Sequence, residues 1–87
     1  MATTKDMIAG WLKEGKRQRA THTIVVCDTF DHEDDPVHVM PGENVREKVA
    51  AYTRGEHSMQ RVMEVYSHAL DHQTQLDEHR AFHLDGS

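Results

Sequence analysis

The chain has 87 residues, 37% of them hydrophobic, and a formal net charge of −5. This size and composition predict one domain, residues 1–87, with one hydrophobic core and no disordered tail. Its longest apolar run, 24–27, is far below the roughly 20 residues of a membrane span, and its acidity disfavours non-specific nucleic-acid binding. The single cysteine and the absence of a secretory signal lead us to expect a cytoplasmic protein.

The first predicted element is a helix over residues 4–19. Its apolar residues recur with the 3.6-residue period of a helix and form one stripe. The stripe consists of Met7, Ile8, Trp11 and Leu12. Thr3 is the expected N-cap, because it precedes an acidic residue by three positions, as in a capping box. We expect the stripe to pack beneath the sheet, with Trp11 against Tyr52.

Two strands follow, joined by an acidic turn. Residues 21–30 are rich in β-branched side chains, and residues 36–40 form a shorter strand, so the two make a hairpin. Pro36 predicts the first position of its strand or an edge of the sheet, because proline has no N–H to donate to a ladder. The charges of the turn keep the sheet edge from pairing with other chains.

A second helix and a third strand complete the main elements. Asn44 predicts the start of the second helix. Residues 59–67, rich in valine, methionine and tyrosine, predict the third strand. Asp71 predicts the cap of a short helical turn. The segment 78–84 predicts a final strand by alternation, with a helix as the alternative.

The fold class that follows is α+β, with the order α-β-β-α-β-(short α)-β and a small, largely antiparallel sheet of three to four strands. We expect both main helices on one face of this sheet. The other face is partly apolar by strand alternation, and a second copy of the chain is its expected cover. The residues expected at this homo-oligomer interface are Val25, Cys27, Met59, Met63 and Val65.

Several segments are distinctive: residues 20–31 (ATHTIVVCDTFD) with 33–37 (EDDPV), residues 59–66 (MQRVMEVY) and residues 78–83 (EHRAFH). Together they resemble a family of small uncharacterised bacterial and phage-associated proteins, over nearly the whole chain. That family has no established activity, so the resemblance implies no catalytic residues. Asp35 departs from the family, in which an aromatic residue precedes the proline, and this speaks against a stacking role for the hairpin tip.

The acidic turn and the histidines are the candidates for a metal site. The turn resembles the start of a calcium loop, but Pro36 stands where glycine is required, and no glutamate follows at the twelfth position. His68 with His72, and His79 with His83, have the i, i+4 spacing that suits Zn²⁺ or Ni²⁺ on a helix. Neither pair has a further ligand at a typical spacing, so we expect surface or interface histidines, no metal and no cofactor.

Polar residues on apolar strands give the candidate ligand site. Polar groups in such positions must pair internally or with a bound molecule, and we expect them where strand ends meet the oligomer interface. The site consists of Asp28, Arg61, His79 and Arg80. Because an arginine fork suits a carboxylate or a phosphate, the expected ligand is a small anion. A purely structural ion pair between Asp28 and an arginine is the alternative.

The sequence therefore predicts a non-enzymatic, homo-oligomeric binding module for a small anionic ligand or a protein partner, with no membrane partner. One alternative is a phage-type accessory protein that inhibits or sequesters a component of host defence. Another is a metal-dependent enzyme that uses Asp28, Asp31 and histidines, which would need ordered ligands and an open coordination position.

Overall fold

The computed structural model describes residues 4–28, 33–53, 60–78 and 81–84. These residues form three helices and three strands, in the order α1 (Lys5–Arg17), β1 (His22–Asp28), β2 (Asp34–Val39), α2 (Val45–Thr53), β3 (Gln60–Ser67) and α3 (His72–Leu76). The predicted α+β class and the order of these six elements are confirmed. None of the described helices is long and apolar enough to cross a membrane.

The strands form one antiparallel sheet in the order β2-β1-β3. The central strand is β1, and its residues from His22 to Val26 are buried, since it has a neighbour on each side and helices over both faces. Pro36 lies opposite Val25 on the edge strand β2. This position agrees with the sequence-based prediction, because an edge strand tolerates a residue without an N–H.

The helices pack on both faces of the sheet, so the prediction of two main helices on one face is wrong. Helices α1 and α3 cover one face, where Leu12 packs in a core with Val25. Helix α2 covers the other face, where Val49 belongs to a second core. Trp11 packs against the first core and Tyr52 against the second, so the expected contact between these two aromatic residues does not form.

Because α2 takes the second face, that face needs no second copy of the chain. Val25 and Val65, two of the residues expected at an oligomer interface, are already buried within one chain. Cys27 is partly buried, Met63 is exposed, and Met59 lies outside the described residues. The argument from an uncovered sheet face to a homo-oligomer is therefore wrong.

A β-bulge explains why simple alternation misplaced the residues of β3. Val25 pairs with Glu64 and the next residue, Val26, pairs with Val62, so Met63 is an extra residue on the bulged strand. The extra residue shifts the alternation by one position. As a result Val62 and Val65 contribute to the same core beside α2, whereas alternation had predicted opposite faces.

The end of the described chain runs beside β3 but makes only one bridge with it. Phe82 pairs in parallel with Val65. The Val65 N–H donates to the Ala81 carbonyl at 2.9 Å, and the Val65 carbonyl accepts from the His83 N–H at 3.0 Å. Within the described residues, the strand predicted over 78–84 is therefore a single bridge.

A side chain, rather than a fourth strand, pairs with the last residue of β3. The Ser67 N–H donates to the Gln75 side-chain carbonyl at 2.7 Å, and the Gln75 amide nitrogen donates to the Ser67 carbonyl at 2.8 Å. Both residues are buried, so these bonds satisfy backbone groups that have no access to water. Gln75 thereby fastens α3 to the sheet.

Capping side chains set the starts of the helices. The hydroxyl of Thr4, not of the predicted Thr3, accepts from a backbone N–H of the first turn of α1, and Thr3 lies outside the described residues. Asn44 accepts from the Glu47 N–H at the start of α2, as predicted. Asp71 caps α3, which confirms the predicted helical turn.

Candidate functional site

Three histidines and a threonine form a continuous hydrogen-bonded chain on the α1 side of the sheet. Thr23 on β1 lies opposite His38 on β2, and its hydroxyl oxygen is 2.9 Å from Nδ1 of that ring. The same oxygen is 2.7 Å from Nε2 of His68, which follows the end of β3. Nδ1 of His68 is 2.9 Å from Nε2 of His72 in α3. We refer to His38, Thr23, His68 and His72 as the histidine chain.

Gly15 of α1 lies directly over the histidine chain. A Cβ atom at Gly15 would be 2.7 Å from Nε2 of His68 and from Oγ1 of Thr23, and 2.8 Å from Nδ1 of His38. These separations are too short for non-bonded contacts, so the helix can approach the chain this closely only with glycine at this position. Gly10 on the same helix has no such neighbours, because a Cβ there would meet nothing within 4 Å.

The turn after α1 holds Gly15 in place. The Ala20 N–H donates to the Gly15 carbonyl at 2.9 Å, and the Arg19 N–H donates to the Lys16 carbonyl at 3.0 Å. These two bonds define a Schellman motif, in which the residue after the C-cap is left-handed. Arg19 occupies that position with φ 65°. The motif leads directly into β1, so the glycine and Thr23 are joined by a short, hydrogen-bonded connection.

Burial and nearby cations disfavour protonation of the rings. The pKa of His68 is lowered to about 4, first by burial and then by the neighbouring histidines and the Lys16 ammonium. Burial also lowers the pKa of His72, with a further contribution from Lys16 and an opposing one from the Asp71 carboxylate. The pKa of His38 is lowered by burial as well, against the opposing charge of Glu14. Each of the three rings therefore favours its neutral form.

A fourth histidine lies close to His68. His22, at the start of β1, is buried, and its Nδ1 lies 3.0 Å from the Thr21 hydroxyl. Its Nε2 is buried and has no hydrogen-bond partner among the described residues. A positive charge on His22 would lower the pKa of His68.

The ligand site predicted from the sequence lies at the opposite end of the sheet. Asp28 ends β1 and is partly buried, while Arg61 is an exposed residue at the paired start of β3. The structure thus brings these two residues to the same end of neighbouring strands. His79 and Arg80, the other predicted members, lie outside the described residues.

The described residues contain no group of three or more side chains arranged to hold a metal ion. Asp28 is separated from Thr23 by about 17 Å along β1, so it does not join the histidine chain in a common metal centre. Asp31 lies outside the described residues. His83 pairs with Glu78 at 2.6 Å, a contact within the end of the chain that leaves it apart from the other histidines described.

A shallow depression of about 340 Å³ lies beside the start of α2. Its polar groups already stabilise the fold. Asn44 caps the helix, and Glu43 accepts from the Met40 N–H and pairs with Lys48 at 3.1 Å. This depression is therefore a weaker candidate than the histidine chain.

Of the contacts in this site, the sequence indicated only the one between His68 and His72, through their i, i+4 spacing. Thr23 and His38 were not selected, because their contact depends on the register between β1 and β2. The available signal was Gly15, a glycine at i+7 from Ile8 on the buried side of α1. Glycine in a helix interior costs stability, and it often marks a close approach of another group.

No family model matches the chain, and neither a curated protein nor a solved structure shows significant similarity to it. The resemblance to small bacterial and phage-associated proteins therefore stays a prediction from the sequence.

Proposed function

We propose that the protein is a small non-enzymatic binding module for a small anion, which binds where Lys16 and His72 border the histidine chain. The supporting observation is the shared positive potential, because the Lys16 ammonium lowers the pKa of both His68 and His72. An anion beside these groups would be attracted by the ammonium and would offset its repulsion of an imidazolium.

The location predicted from the sequence has less support. Of the four residues predicted there, only Asp28 and Arg61 belong to the described part of the chain. At the other end of the sheet, the Lys16 ammonium acts on His68 and His72. The rings of the histidine chain are held there by hydrogen bonds with one another and with Thr23. We therefore place the anion beside Lys16 and His72 and away from Asp28.

Homo-oligomerisation and a cytoplasmic location belong to the same proposal as predictions from the sequence. Support for self-association comes from four large apolar side chains that are 41–44% exposed, and burial of such groups between copies is favourable. They are Met7, Met63, Leu70 and Phe82. Sedimentation equilibrium tests this part, and a monomer mass at every protein concentration contradicts it.

Titration with inorganic phosphate at constant ionic strength tests the anion site. Bound phosphate should raise the pKa of His72 and of His68, measured by NMR of their ring nitrogens, because an anion favours the imidazolium form. Lys16→Met should weaken phosphate binding several-fold. Lys13→Met removes another exposed lysine from the same helix and should leave phosphate binding unchanged.

Two results would contradict the proposal. One is that phosphate leaves both histidine pKa values where chloride leaves them. The other is an equal effect of the two lysine substitutions, which would show that phosphate responds only to the general charge of α1.

A further inference from the structure

The histidine chain has two complete hydrogen-bond arrangements when its rings are neutral. A neutral imidazole has one N–H donor and one bare nitrogen that accepts, and a hydroxyl donates once. If Nδ1–H of His38 donates to Thr23, the Thr23 hydroxyl must donate to Nε2 of His68. His68 must then donate from Nδ1 to Nε2 of His72. In this first arrangement every ring carries its proton on Nδ1.

The second arrangement reverses every bond. Nε2–H of His72 donates to Nδ1 of His68, and Nε2–H of His68 donates to the Thr23 oxygen. The Thr23 hydroxyl then donates to Nδ1 of His38. Every ring now carries its proton on Nε2. The heavy-atom distances of 2.9, 2.7 and 2.9 Å are suitable for hydrogen bonds in either direction.

We propose that the histidine chain is a proton relay between β2 and α3. A proton that binds Nε2 of His38 in the first arrangement moves each bridging proton one step, and the Nδ1 proton of His72 is released. One proton leaves for each that enters, only N–H and O–H bonds change, and the second arrangement results. His38 and His72 are partly exposed and Thr23 is fully buried, so the relay connects two accessible rings through the interior.

Charged groups on the surrounding elements affect the protonation of the two end rings, His38 and His72, in different ways. From α1, Glu14 favours a proton on His38, whereas Lys16 disfavours one on His72. From α3, Asp71 opposes the effect of Lys16 on His72. From β1, His22 acts on the central ring when it is charged. These charges make the His38 end the preferred place for an additional proton.

The relay also makes its two ends compete for protons. A charged His38 needs the first arrangement and a charged His72 needs the second. If both are charged, the Thr23 oxygen accepts from both His38 and His68, and its own hydroxyl proton has no acceptor in the chain. Because Thr23 is buried, this loss should lower the pKa for the second protonation.

NMR of the ring nitrogens in the full ¹⁵N-labelled chain tests the relay, because their shifts distinguish the two neutral tautomers from the imidazolium. When His38 becomes charged as the pH falls, His72 should adopt the Nδ1–H form. If His72 becomes charged first, His38 should adopt the Nε2–H form. Thr23→Ser keeps the hydroxyl and should retain this coupling, whereas Thr23→Val lacks the hydroxyl and should abolish it.

The relay is overturned if, in the unmodified protein, His72 is in the Nε2–H form while His38 is charged, or if His38 is in the Nδ1–H form while His72 is charged. Coupling that survives in Thr23→Val, or that is lost in a folded Thr23→Ser, also overturns it. If Thr23→Val does not fold, the unmodified protein and Thr23→Ser decide the question. None of these measurements contains phosphate, so failure of the relay is distinguishable from failure of the anion site.

Discussion

Replacing Gly15 by alanine tests the contact on which the histidine chain depends, and Gly10→Ala is a matched control in the same helix. At Gly10 a Cβ meets nothing within 4 Å. The substitution there should stabilise the protein by up to about 1 kcal/mol, because alanine has the higher helix propensity. The same propensity gain applies at Gly15, so any difference between the two variants reports the environment of the added methyl group.

At Gly15 the added Cβ would lie 2.7 Å from two polar atoms and 2.8 Å from a third. Overpacking of this kind costs about 1–3 kcal/mol. If His38 and His68 instead move away, the buried Thr23 hydroxyl loses its partners, at a cost of about 1–3 kcal/mol. Because the propensity gain is common to both variants, Gly15→Ala should be less stable than Gly10→Ala by about 1–3 kcal/mol.

Urea denaturation followed by the fluorescence of Trp11 measures this difference, since that side chain packs against the core beneath α1. The expected result is a lower midpoint for Gly15→Ala and a slightly raised one for Gly10→Ala. Equal stabilisation of both variants would refute the close approach of α1 to the histidine chain.

Three further predictions concern stability, each measured by denaturation. Arg19→Gly should raise the free energy of unfolding by up to about 1 kcal/mol, because its φ of 65° suits glycine, and an unchanged or lower value contradicts the left-handed turn. Gln75→Leu should cost about 1–3 kcal/mol, since it removes the Gln75 acceptor of the buried Ser67 N–H and one of the donors to the Ser67 carbonyl, and an unchanged stability contradicts this role. Stability should fall from about pH 6.5 towards pH 4, because unfolded His68 binds a proton near pH 6.5 and folded His68 only near pH 4. After allowance for partial exposure of that ring, its share is about 1–3 kcal/mol, and His68→Gln should flatten the pH profile.

Local signals predicted the elements of this fold well. The caps at Asn44 and Asp71 were identified correctly, because each depends on a few neighbouring residues. Faces of the sheet were predicted less well. The bulge at Met63 shifts the alternation of β3, and it depends on pairing with β1, which a single strand sequence does not record.

Layer order and the histidine chain depend on contacts between distant parts of the sequence. Helix α2 covers the face opposite α1, and the local sequence of neither helix specifies which face it covers. Thr23 meets His68 across 45 positions of the chain. Residue type and spacing indicated the pair His68–His72, but only the assembled sheet shows that four side chains join in one hydrogen-bonded chain.

The most direct test of the histidine chain is the tautomer of its three rings at pH 7, measured from their ring-nitrogen NMR shifts in the unmodified protein. Because the hydrogen bonds must all run in one direction, His38, His68 and His72 should show the same tautomer. If both directions are populated, the three rings should show the same fraction of Nδ1–H. Different tautomers, or unequal fractions among the three neutral rings, would contradict the chain.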